Sequence, residues 1–271
     1  MNYINLYQSF IDHSSFSRNI VSKYYYQLIS PYLESAEIFF MNYGYAGLGE
    51  SIRTIKLDEC DEPYRMPIQL YHHLASSINL EGKDVLEVSC GRGGGASFVN
   101  RYYQLRSLVG IDRTAQAIKY CRRKHQQPGL SFLKCDAEAI LFGSECFDVV
   151  LNVEASHLYP CVDTFLSEVR RVLRPGGYLL LADKRTMAEI HLLRRQISTC
   201  GLEVLCEHDI SGNVLRSIQL QQSDRLQMLK NQLPRHLVWL ATHVIGADGS
   251  HLANAIAAGE TVYLSFILRK V

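Results

Sequence analysis

From residue 83 onward, apolar positions fall into short strand-like runs separated by stretches with helical spacing. KDVLEVS, SLVGID, LSFLKCD, FDVVLNVEAS, GYLLLADK, GLEVLCEHDI and TVYLSFILRK predict seven strands. GGGASFVNRYY, TAQAIKYCRRKH, CVDTFLSEVRRVL and AEIHLLRRQIST predict helices between them. In CVDTFLSEVRRVL, residues Val162, Phe165, Leu166, Val169, Val172 and Leu173 share one face at a 3.6-residue period. RPGG is expected to end that helix with Pro and Gly beyond its last turn. Apolar strands alternating with crossover helices predict a doubly wound, Rossmann-like parallel sheet with both faces covered.

The two ends of the chain depart from this rhythm. Residues 1–79 carry ten of the sixteen tyrosines and few aliphatic runs, which predicts an ordered, helical, Tyr-rich cap or lid. Residues 80–271 then form the main domain, with a helical insertion at 211–258 as a second lid before the last strand. The chain is 271 residues long with net charge +1, so no global field draws it to nucleic acid or anionic lipid. The basic stretches CRRKH and the RR pairs at 170–171 and 194–195 lie on predicted helices and read as solvated faces. No apolar run is long enough for a membrane span, and no leader peptide is recognised. Eight scattered cysteines without a CxxC pair suit free thiols in the cytoplasm, and the ten histidines include no tight ligand cluster, so no metal is expected. The sequence leaves a homodimer open.

Candidate chemistry begins at VLEVSCGRGGGAS, residues 85–97. The loop lacks the lysine of a triphosphate-binding loop. It matches the dinucleotide pattern GxGxxG/A on paper, and Asp112 follows at the end of the second strand, so a nicotinamide-dependent oxidoreductase stays as an outside alternative. Glu87 in the approach would repel a pyrophosphate and favour a ligand with a cationic end. S-adenosylmethionine has that make-up, and its carboxylate can take loop amides and the helix N-terminus.

VLEVSCGRG resembles the first motif of the class I S-adenosylmethionine-dependent methyltransferases. GID at 110–112, CDAE at 135–138, LNVEASH at 151–157 and RVLRPGGYLLLAD at 171–183 resemble the motifs that follow it, in order. More narrowly, EVSCGRGGGAS, DVVLNVEASH, RPGGY and DEP near 61–63 are similar to the phthiotriol and phenolphthiotriol dimycocerosate methyltransferases, which O-methylate a hydroxyl on a long polyketide chain.

The resemblance implies a seven-stranded, mostly parallel sheet with the last strand antiparallel. It also implies S-adenosylmethionine as cofactor, S-adenosylhomocysteine as product and a lipophilic small-molecule acceptor. Gly91 and Gly93 then approach the methionine moiety, with Glu87 on its ammonium side and Asn152 closing the same end. Asp112 takes the ribose diol, Asp136 with Ala137 reads the adenine edge, and Glu138 lies beside them. Ser89 stands where the family's first glycine would be and predicts a slightly less tight turn. Glu154 faces the methionyl group or serves as a structural acceptor.

A hydroxyl acceptor needs a base, and His157, just past the fourth strand, is the candidate, with Asp183 at the end of the next strand orienting it. Tyr71, Tyr159 and Trp239 are candidates for lining a lid over the acceptor. Two other acceptors fit the same fold: a fatty-acid-like carboxylate, which is already ionised, and a sterol-type carbon. Nucleic-acid methylation is disfavoured, because strand four carries NVEA in place of a DPPY or NPPY signature.

Overall fold

The computed structural model describes residues 39–49, 54–232, 234, 238 and 249–271. Trp239 and the tyrosines at 3, 7, 24, 25, 26 and 32 lie outside the described residues. A strap of extended chain, residues 39–47, leads by way of a 3₁₀ turn at Glu62–Tyr64 to helix α1, Arg65–Ala75. The alternating part follows as β1 Asp84–Val88, α2 Gly94–Tyr102, β2 Ser107–Asp112, α3 Ala115–Lys124, β3 Leu130–Lys134 and β4 Phe147–Val153. A 3₁₀ turn at Ser156–Leu158 leads to α4 Val162–Val172, β5 Leu173–Thr186, α5 Met187–Thr199 and β6 Glu203–Asp209. The remaining elements are α6 Ser211–Gln232, α7 Ser250–Ala257 and β7 Thr261–Arg269.

The seven strands form one sheet in the order β3-β2-β1-β4-β5-β7-β6. β7 runs antiparallel to both of its neighbours, and the pairings of β1 through β5 are parallel. Because side chains alternate along a strand, each central strand feeds two cores. Val85, Leu108, Val149 and Leu180 face α1, α2 and α6, while Leu86, Ile111, Val150 and Leu181 face α4 and α5. In α4 the helical period does as the sequence predicts: Phe165, Leu166, Val169 and Val172 are all buried.

As expected, the helix ends at Val172, with Pro175, Gly176 and Gly177 beyond its last turn; the sequence did not predict that these residues also belong to the next strand. Leu173 turns directly to extended geometry (φ −71°, ψ 137°), and β5 starts there. Residues 174–177 form an irregularity between the pairs Phe147↔Leu173 and Val149↔Tyr178. The end of β7 supports it, with Gly176 N–H donating to the Lys270 carbonyl and Lys270 N–H to that of Gly177. In the stretch CRRKH the basic residues Arg122, Arg123 and Lys124 are exposed as expected, while Cys121 and His125 at its ends are buried and His125 Nε2 meets the Arg92 carbonyl at 2.9 Å.

Candidate active site

The chain leaves β1 toward β2 and leaves β4 toward β5, so a crevice opens at the carboxyl ends of β1 and β4. A cavity of about 270 Å³ occupies it. Its walls come from the segments just after β1, β2, β3 and β4, from Lys184 on β5, from Tyr71 on α1 and from the strap.

On the β1–β3 side, Ser89, Gly91, Asp112, Asp136, Ala137 and Glu138 line the wall. Asp112 Oδ2 accepts from Gly91 N–H at 3.1 Å and Oδ1 from Thr114 N–H at 2.8 Å, which fixes the carboxylate and leaves lone pairs for a ligand. Burial raises its pKa against those amide bonds. Asp136 Oδ1 accepts from Glu138 N–H at 2.9 Å, and Glu138 Oε1 accepts from Cys161 N–H at 2.7 Å, where α4 begins. Gly91 has φ +54°, and a Cβ there would meet only Met41 Sδ, at 3.6 Å, so the backbone lies open toward the cavity. An open approach at Gly91 beside two strand-end carboxylates is a space and an acceptor set that fit an amino-acid nucleoside.

Other residues expected on this wall stand elsewhere. Glu87 is 1 % exposed and does not line the cavity; its Oε1 accepts from Tyr71 O–H at 2.7 Å. The strand's two-residue period puts it on the same face as Val85, beneath α1 and α2. Burial pushes its carboxyl up to about 8, against the Tyr71 bond, so the acid is not a fixed negative charge facing a ligand. Gly93, at φ +78°, faces Cys121, His125 and Phe132 rather than the cavity. Asn152 is fully buried and supports the wall from behind, its Nδ2 donating to the Val88 carbonyl at 3.0 Å and to Tyr159 Oη at 2.8 Å.

The turn at Ser89 is not relaxed by the missing glycine. Ser89 takes φ +60°, and its hydroxyl meets Tyr159 Oη at 2.6 Å across the crevice. Tyr159 lines the cavity, as does Tyr71, which reaches it from α1 as part of the fixed wall.

On the β4–β5 side, His157 lines the cavity and Asp183 stands behind it. His157 Nδ1 lies 2.7 Å from Asp183 Oδ1, with side chains 14 % and 1 % exposed. The carboxylate also accepts from Ser156 O–H at 2.6 Å, His157 N–H at 2.8 Å and Lys184 N–H at 2.8 Å. Arg185 adds an ion pair at 3.0 Å and donates to Ser156 Oγ. Burial by itself would raise Asp183, but His157, Arg185 and these hydrogen bonds outweigh it and hold the acid well below the usual carboxylate range. An ionised Asp183 makes Nδ1 the protonated nitrogen of a neutral imidazole and leaves the Nε2 lone pair available. Burial lowers the His157 pKa, and Asp183 opposes that shift.

Two further groups border this side: Lys184 on β5, which the sequence did not single out, and Glu154 just past β4, which stands as a structural acceptor. Lys184 lines the cavity 5.2 Å from the Tyr43 ring. Glu154, at φ +51°, accepts at Oε1 from Tyr43 N–H at 2.8 Å. Burial pushes Glu154 up to about 7, opposed by the Tyr43 amide and by Lys184. Tyr43 and its strap carry no local motif, whereas Lys184 and Arg185 were legible as neighbours of Asp183 on one strand. Among the described residues, no group of three or more His, Cys, Asp or Glu is placed to hold a metal. No described helix is long and apolar enough to cross a membrane.

Residues 86–181 match the family model of a methyltransferase domain. The chain is 40% identical over 250 residues, 92% of each chain, to a phthiotriol/phenolphthiotriol dimycocerosates methyltransferase of Mycobacterium tuberculosis. It is 42% identical to a fatty-acid O-methyltransferase of Mycolicibacterium smegmatis over 73% of this chain and 71% of that one. Among solved structures, geranyl diphosphate methyltransferase in complex with SAM is similar with a TM-score of 0.66 at 14% identity, covering 86% of this chain and 100% of that one. The chain therefore belongs to the phthiotriol/phenolphthiotriol dimycocerosates methyltransferase family, and it is an S-adenosylmethionine-dependent methyltransferase.

Proposed function

We propose that the enzyme methylates a hydroxyl of a lipophilic, lipid- or polyketide-like natural product, with His157 as general base and Asp183 as its partner. The observation that carries this reading is the 2.7 Å contact between His157 Nδ1 and a multiply bonded Asp183 at the cavity wall. The names of the relatives, a phthiotriol methyltransferase and a fatty-acid O-methyltransferase, support a lipid-like acceptor.

When bound, S-adenosylmethionine supplies a methyl carbon activated by its sulfonium. Gly91 would leave room for the methionine moiety, Asp112 would take the ribose hydroxyls, and Asp136 with Ala137 would border the adenine. His157 Nε2 would accept the proton of the acceptor's hydroxyl. Asp183 steadies the imidazolium that forms, and the proton then passes to water. Its hydrogen bonds hold that carboxylate in place, so the imidazole is oriented before the acceptor arrives. The eight free thiols suit a reducing, cytoplasmic setting.

One feature favours a second acceptor class. Lys184 places a cation on the cavity wall, where a fatty carboxylate could be held, and that acceptor needs no base. His157→Asn separates the two readings. With an alcohol acceptor, turnover should fall by ~10²-fold or more while S-adenosylhomocysteine affinity, measured by calorimetry, stays within about twofold. Unchanged alcohol turnover removes His157 as the base, and undiminished carboxylate turnover beside a lost alcohol activity identifies the second class.

A further inference from the structure

The strap of residues 39–47 forms the outer wall of the cavity through Phe39, Phe40, Met41, Asn42 and Tyr43. Its main chain is held from two sides. Asn213, Ser217, Gln221 and Arg225 recur every fourth residue along α6 and so form one stripe of that helix. Each of the four donates to a strap carbonyl. Asn213 Nδ2 reaches Ala46 O at 2.9 Å, and Ser217 Oγ and Gln221 Nε2 reach Tyr43 O at 2.8 and 3.2 Å. Arg225 reaches Asn42 O at 2.7 Å. Buried or half-buried carbonyls need partners, and α6 provides them. Strap and helix are thus joined by a ladder whose spacing sets their register.

The second attachment joins the strap to the body. Gly94 N–H donates to the Phe39 carbonyl at 3.2 Å and Tyr45 N–H to that of Met66 at 2.9 Å. At the reacting edge itself the tie is Tyr43 N–H to Glu154 Oε1. Glu154 is a costly residue to keep there. It sits in the left-handed region, where a non-glycine residue is strained, and its carboxyl is desolvated. The Tyr43 ring lies between Lys184 and Arg225, at 5.2 and 5.5 Å, so one residue touches the strand edge and the covering helix together. The strap is therefore the part of the cavity wall that stands between the catalytic edge and α6.

We propose that Glu154 is a positioning residue: by accepting from the Tyr43 amide it fastens the strap and α6, as one covering unit, onto the catalytic edge, and release of that bond opens the cavity. The need for release in each turnover rests on the lipid-acceptor reading; the latch itself does not.

The test is hydrogen–deuterium exchange by mass spectrometry on the full chain, with and without S-adenosylhomocysteine. Glu154→Ala should speed exchange across 39–47 by ~10-fold or more, leave the β1 and β4 peptides unchanged, and raise the S-adenosylhomocysteine off-rate. Glu154→Gln, whose amide oxygen still accepts from Tyr43, should restore wild-type exchange. Arg225→Met, made at the helix end of the ladder, should also speed exchange across 39–47; it covers the case in which Glu154→Ala fails to fold. Wild-type exchange in Glu154→Ala or in Arg225→Met, or a glutamine variant as fast as the alanine one, overturns the proposal. None of these readings needs an acceptor, so they stand or fall apart from the His157→Asn result.

Discussion

A Cβ added at position 95 would lie 1.9 Å from Tyr71 Cζ, so only glycine lets the Tyr71 ring rest on the first turn of α2. The glycine cluster therefore does two jobs that look alike in the sequence. Gly91 opens backbone toward the cavity, while Gly95 makes room for a neighbouring ring. Gly95→Ala should cost about 1–3 kcal/mol or more of stability in urea unfolding, because Tyr71 must move and its bond to Glu87 goes with it. Gly91→Ala should lose only about 1 kcal/mol, from its positive φ, and should chiefly weaken cofactor affinity. Equal stability losses would contradict this division. Ser89 makes the related point that a non-glycine residue accepts a left-handed turn where its hydroxyl gains a partner, here Tyr159.

Among the elements, β1 shows how alternation assigns a charged residue its neighbours. Glu87 lies on the strand face beneath α1 and α2, and burial carries its carboxyl from about 4.5 in an unfolded chain up to about 8. The folded form thus binds a proton that the unfolded form has lost across that interval. This group's contribution to stability must fall as pH rises from about 4.5 to about 8. Glu87→Gln mimics the protonated acid and removes the dependence. Urea unfolding at pH 5.5 and 7.5 should therefore show a smaller loss on alkalinisation for the variant than for the wild type. An unchanged difference would mean that Glu87 is ionised in the folded protein. Helix α6 illustrates a different economy of sequence, since its stripe from Asn213 to Arg225 is polar because it covers strap carbonyls rather than because it faces water.

For the whole molecule, strand order is what gathers the site. β1 and β4 are adjacent in the sheet although β2 and β3 lie between them in the chain, and their two following loops meet only for that reason. A ligand held across that junction binds the folded state alone. S-adenosylhomocysteine at about 100-fold over its Kd should raise the unfolding free energy by about 2.7 kcal/mol. Asp112→Ala should show a clearly smaller rise at the same concentration, read as a shift in thermal midpoint. Identical shifts would remove Asp112 from the cofactor contacts.

The seven strands, the helices between them and the apolar face of α4 were legible in the chain, because period-2 and period-3.6 patterns are local records of burial. The placement of Asp112, Asp136 and His157 was legible too, since each follows a strand whose end a parallel sheet must bring to one edge. Only the tertiary structure decided which way Glu87 and Asn152 face, that RPGG joins the sheet, and that Tyr43 and Glu154 meet. Those outcomes depend on contacts between segments up to 111 residues apart, for which neither periodicity nor composition leaves a local trace.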